Sequence, residues 1–141
     1  MQNRPVTFSV DCCPSDNMAG VTDDGKKIAF GSDESPSPMQ LLEAALGGCA
    51  VMTLISAVQK MDLPVARVRA ELSSETREKA PSVFTSIHVH FVVMGYSLSE
   101  ARVARAVEIA DKYCPVHQTL AKSVKLTTSF EIEEYSGEDE G

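Results

Sequence analysis

Two cysteines, Cys49 and Cys114, stand 65 positions apart in settings that suit opposite halves of a thiol redox cycle. Cys114 directly precedes Pro115, whose missing N–H suits the first position of a helix. A sulfur in that capping position meets unpaired N–H groups that favour negative charge, and Lys112 and His117 flank it. Its thiol is therefore expected to ionise more readily than a free one, whose pKa is about 8.5. The alternative is an inert cysteine in a turn. Cys49 follows Gly47-Gly48 in a long apolar run, where an isolated thiol behaves as a small hydrophobe. As a pair the two can act as attacking and resolving thiols, provided the fold brings them together.

The remaining candidates are weaker. Cys12 and Cys13 are adjacent, a spacing at which a bridge is strained, and are expected to mark a strand end. His88 and His90 share one face of an alternating segment. Together with Cys12, Cys13, Cys114 and His117 they show no paired zinc-motif spacing, so neither a metal nor another cofactor is expected.

The elements that must position these residues follow from periodicity and capping. Val6, Phe8 and Val10 alternate as a strand; a second strand is expected near Met18 to Val21, and Asp23-Asp24-Gly25 turns the chain into Lys26 to Phe30. Ser37-Pro38-Met39-Gln40 is a capping box with proline at the first helical position, so a helix should start at Pro38 and run to about Met61. That helix is apolar on nearly every side and so should be surrounded by protein, in part by a second subunit. Gly47-Gly48 predict close approach of another backbone, since each glycine costs about 1 kcal/mol of helix propensity. Val65 to Ser74 and Val83 to Met94 alternate as a hairpin around the charged turn Glu75 to Pro81. Ser97-Leu98-Ser99-Glu100 reads as a second capping box for a helix over Leu98 to Lys112, followed by a short helix from Pro115 to about Lys122 and a strand over Lys125 to Glu133. This order predicts an α+β fold in a single domain over residues 1–135.

Composition removes several function classes. Six of the 20 acidic residues fall in the last eleven positions, and the net charge of −7 shrinks to −1 without them. A nearly neutral body has no nucleic-acid footprint, and residues 136–141 are expected to be an acidic, flexible tail. No stretch reaches the roughly 18 uninterrupted apolar residues of a membrane span, and no leader is evident at the N-terminus. A cytoplasmic protein with reduced cysteines, contacting neither nucleic acid nor membrane, is expected.

The segment Ser37-Pro38-Met39-Gln40-Leu41-Leu42-Glu43-Ala44-Ala45-Leu46-Gly47-Gly48-Cys49, with Cys114-Pro115-Val116-His117-Gln118-Thr119-Leu120 after it, resembles the OsmC/Ohr family in both cysteine motifs. The order of elements matches that family over about residues 5–133. The resemblance implies antiparallel sheets wrapped around a central, buried, cysteine-bearing helix in an intertwined homodimer. It also implies cysteine-based reduction of organic hydroperoxides in oxidative stress defence. Cys49 would attack the peroxide, Cys114 would close the disulfide, and an external dithiol would restore both.

Two positions depart from that pattern. Active members carry an Arg in the N-terminal sheet and a Glu near the start of the cysteine helix, whereas this chain has no Arg between Pro5 and Gly25 and has Met39 and Gln40 after Pro38. Glu43 lies about 120° around a helix and ~9 Å along it from Cys49, so it can serve only the site of a partner subunit. Arg4, Lys26 and Lys27 are the available substitutes for the Arg, and His117 is a possible supporting residue. The departures leave open an alternative, a non-peroxidatic relative that senses redox state or binds a small hydrophobic ligand.

Overall fold

The computed structural model describes residues 6–9, 18–31 and 34–136. Arg4, Cys12, Cys13 and the tail beyond Ser136 lie outside the described residues. The chain forms two compact units, 1–44 and 45–141.

In the first unit, β1 (Val6–Ser9), β2 (Met18–Thr22) and β3 (Lys27–Phe30) form an antiparallel sheet in that order. The β2–β3 turn falls at Asp23-Asp24-Gly25 as expected. Gly25 takes φ +88°, a left-handed conformation that favours glycine, and the Thr22 hydroxyl bridges the Asp24 carboxylate and the Lys26 N–H. The capping box at the start of helix α1 (Pro38–Lys60) is present in both directions. The Ser37 N–H donates to Gln40 Oε1 at 3.0 Å and the Gln40 N–H to Ser37 Oγ at 3.1 Å.

The second unit holds the rest of α1 and a sheet ordered β4 (Val65–Thr76), β5 (Phe84–Gly95), β6 (Lys125–Glu134). The α+β class holds, but this sheet is mixed. β4 and β5 form the antiparallel hairpin, whereas β6 runs parallel to β5. The cause is the connection between them, made by α2 (Glu100–Tyr113) and α3 (Pro115–Leu120), a helical crossover of the kind that returns the chain in the same direction. The second capping box is shifted from its expected place. Ser99, not Ser97, caps α2 and accepts from the Arg102 N–H, while Ser97 takes φ +49°.

The core lies between one face of this sheet and the two long helices. Ile87, Val89, Phe91 and Val93 alternate inward from β5, and Leu46, Ala50, Leu54, Ala57 and Val58 of α1 join Val103, Ala106, Val107 and Ala110 of α2 in one apolar cluster. By length and mean hydropathy α1 could cross a membrane, which the residue count in the sequence did not register. Its buried face is instead built into this cluster. The glycine pair reads differently from expectation. A Cβ on Gly47 would meet the Leu72 side chain at 2.8 Å, and one on Gly48 would meet nothing within 4 Å, so no second backbone approaches there among the described residues. Gly95 is the glycine pressed against a backbone, since an added Cβ would collide with the Pro64 carbonyl oxygen.

Candidate redox site

Cys114 is held by two helices at once. Its N–H donates to the Ala110 carbonyl at 2.9 Å, ending α2, and its Sγ accepts from the His117 N–H at 3.5 Å, starting α3. Pro115 sits at the first position of α3 as the sequence predicts. The residue is only 1% exposed. Cys49 projects from α1 half-buried, beside Gly48, whose lack of a side chain leaves space open on that side of the helix. The structure brings the two near one another: both are free thiols, Cys49 packs against the apolar cluster that contains Cys114, and it is close enough to act on the ionisation of Cys114.

The electrostatics of Cys114 reverse the sequence expectation. Burial pushes its thiol above the ordinary value of 9.0; the His117 and Val116 N–H groups pull the other way, and the neighbouring Cys49 sulfur adds to the rise. The cap is there, but loss of hydration outweighs it. Cys114 is thus held as a neutral thiol at neutral pH, near the more accessible Cys49.

The raised thiol of Cys114 makes the stability of the fold depend on pH. The folded-state pKa lies above the unfolded one, so the unfolded chain gives up its proton first as pH rises. The contribution of Cys114 is complete below the unfolded value and is lost as pH climbs through the folded value, with a slope of at most about 1.4 kcal/mol per pH unit. Urea unfolding of the reduced protein between about pH 7 and 10.5 should show this decline, and Cys114→Ser should flatten it by that amount.

His117 does not act on Cys114 through its ring. Its Nδ1 lies 3.9 Å from Asp111 Oδ1, and Asp111 in turn accepts from the Thr128 hydroxyl at 3.1 Å. Burial raises the Asp111 carboxyl above the usual carboxylate range, against the lowering effects of Thr128 and His117. Gln118 Nε2 donates to the Asp111 carbonyl at 2.9 Å, tying α3 to α2. Asp111, Thr128 and Gln118 therefore fix the segment that presents Cys114. Sequence reading missed this role, because no local spacing links a residue of α2 to one of β6.

Glu43 falls in the first unit, and helix geometry turns it away from the Cys49 of its own helix. Lys26 pairs with Asp24 at 3.3 Å. Among the described residues, no group of three or more His, Cys, Asp or Glu is placed to hold a metal ion.

A thiol pair carried by a long apolar helix and by a helix cap, set in an α+β unit with a helical crossover, defines the class of fold. The chain belongs to the OsmC-like family, whose model matches residues 31–129. It is 45% identical over 101 residues to protein YhfA of Escherichia coli K12, covering 71% of this chain and 75% of that one. A hypothetical protein from Aquifex aeolicus superposes with a TM-score of 0.84 at 23% identity, over 96% of this chain and all of the other. An organic hydroperoxide resistance protein OsmC from Legionella pneumophila superposes with a TM-score of 0.72 at 15% identity, over 93% and 98% of the two chains. At these identities the two structures establish the shared fold.

Proposed function

We propose that this protein reduces organic hydroperoxides through Cys49 and Cys114, and the observation that carries the reading is the closeness of a half-buried thiol to a buried, capped one in the same apolar cluster. The Cys49 thiolate attacks the peroxide O–O bond, giving Cys49 sulfenic acid and an alcohol once the departing alkoxide takes up a proton. The Cys114 sulfur displaces hydroxide from that sulfenic acid, leaving a disulfide and water. An external dithiol then restores both thiols. Family membership and the fold shared with the organic hydroperoxide resistance protein of Legionella pneumophila support the reading.

The protein acts as a homodimer in this proposal. Met52, 73% exposed, and Ile55 lie on the open side of α1 and need cover. In that dimer the partner's Glu43 and the partner's Lys27 are the candidates to serve Cys49 in place of the displaced Glu and the absent Arg.

A second reading, a redox sensor or binder of small hydrophobic ligands, draws on that missing Arg and on the same exposed apolar residues beside Cys49. One experiment separates the two: non-reducing peptide mapping after one equivalent of an organic hydroperoxide, with peroxide consumption followed in parallel. Consumption with a Cys49–Cys114 disulfide supports catalysis. Persistent peroxide with both thiols free removes it and leaves the second reading.

A further inference from the structure

The face of the β4–β5–β6 sheet turned away from the core carries a polar array that the thiol pair does not use. The register sets Glu75, Ser86 and Lys125 in one row across the three strands, Ser73, His88 and Thr127 in the next, and Glu71, His90 and Ser129 in a third. The first two rows line a recess of about 590 Å³, within the range of small-molecule sites.

A continuous chain of hydrogen bonds runs from this recess along the β5–β6 seam. Thr127 Oγ1 and His88 Nδ1 are 2.6 Å apart, His88 Nε2 and Ser129 Oγ 2.7 Å, Ser129 Oγ and His90 Nδ1 2.7 Å, and His90 Nε2 and Glu131 Oε1 3.3 Å. With both rings neutral, one direction satisfies every group. Thr127 donates to His88, His88 to Ser129, Ser129 to His90, and His90 to the Glu131 carboxylate. In that direction the Thr127 proton is spent inside the chain. If His88 takes a second proton, its Nδ1–H donates to Thr127 instead, and the Thr127 hydroxyl proton is released toward the recess. There it joins the Lys125 ammonium and the Ser73 hydroxyl, donors that have no hydrogen-bond acceptor among the described residues.

We infer that this recess is a binding site for a small molecule bearing an oxyanion, a phosphate or sulfate ester or a carboxylate, and that binding is coupled to uptake of one proton from solvent by His88. Lys125 and the released Thr127 hydroxyl hold the anion, and the remaining volume accommodates the body of the ligand. The charged and titratable groups facing His88 bear on the coupling from each strand. Glu71, bound by Arg69 at 3.1 Å, and Glu75 face it from β4; His90 is beside it on β5; Lys125 and Glu131 face it from β6. Glu75 opposes an anion, but its Oε1 is engaged by the Ser86 hydroxyl at 3.5 Å.

The test is an NMR titration of the reduced protein with sodium sulfate, whose charge is constant over the range, at about pH 5.5 and pH 8 and fixed ionic strength. Expected are saturable shifts at Lys125, Thr127 and the His88 ring, with affinity about tenfold higher at the lower pH. Lys125→Met should abolish saturation, and His88→Gln should remove the pH dependence while leaving weak binding. Acetate in a parallel arm distinguishes a tetrahedral from a carboxylate preference, either of which fits the inference. Shifts that never saturate, or that persist unchanged in Lys125→Met, overturn the site. Equal pH dependence in His88→Gln overturns the proton coupling.

Discussion

Replacing Cys49 by Ser is expected to lower the rate of organic hydroperoxide consumption by at least about a hundredfold, because a serine hydroxyl at that place has no base to activate it and is a far weaker nucleophile than a thiolate. Cys114→Ser should behave differently. The first attack needs only Cys49, so the first equivalent of peroxide is still consumed, but the sulfenic acid has no partner and should be captured by a 1,3-diketone reagent at Cys49. Serine is itself a good cap, so this variant keeps the start of α3 intact. The raised Cys114 thiol adds a further expectation. Disulfide closure in the parent protein should quicken as pH rises above neutrality, since closure needs the Cys114 thiolate that burial opposes. Stopped-flow consumption combined with mass spectrometry of the trapped species checks all three. Equal rates for the parent and Cys49→Ser would remove Cys49 from the chemistry.

What the sequence disclosed, and what it did not, separates along physical lines. The capping box at Ser37, the turn at Gly25 and the Pro115 helix start were legible because each is set by residues within one turn of one another. The alternation of β5 placed Phe91 inward and His88 and His90 together on the other face. The ionisation of Cys114 is not legible locally, because the local signals, a cap and flanking bases, all point downward, whereas the dominant effect comes from burial beneath distant elements. The parallel pairing of β6, the Asp111–Thr128 contact and the seam from Thr127 to Glu131 escaped for the same reason. Each joins residues brought together only when the crossover returns β6 to the side of β5. The Gly47-Gly48 pair shows the converse, a conspicuous local signal whose tertiary cause among the described residues is one leucine side chain at Gly47 and open space at Gly48.

Phe91→Ala should be the most destabilising single change in the second unit, lowering unfolding free energy by about 3–5 kcal/mol. Phe91 is fully buried at the centre of β5, with Ala70 and Phe130 as its register neighbours on β4 and β6. Ala70 is too small to spread into the space left behind, and Val89 and Val93 on the same strand are stiff at χ1, so the site collapses poorly and the cavity remains. Against a total of about 5–15 kcal/mol for a domain, the loss threatens folding at physiological temperature. Phe91→Leu, which keeps most of the volume, should lose clearly less, and Val83→Ala, at a position 47% exposed, should change stability by no more than about 0.5 kcal/mol. Urea melts of the three variants give this ranking directly. Phe91 shares its apolar cluster with Leu46, Ala50 and Leu54 of α1, the helix that carries Cys49, and with Cys114. A cavity there should therefore also loosen the positions of the two cysteines, slowing disulfide closure in Phe91→Leu more than its modest loss of stability alone would predict.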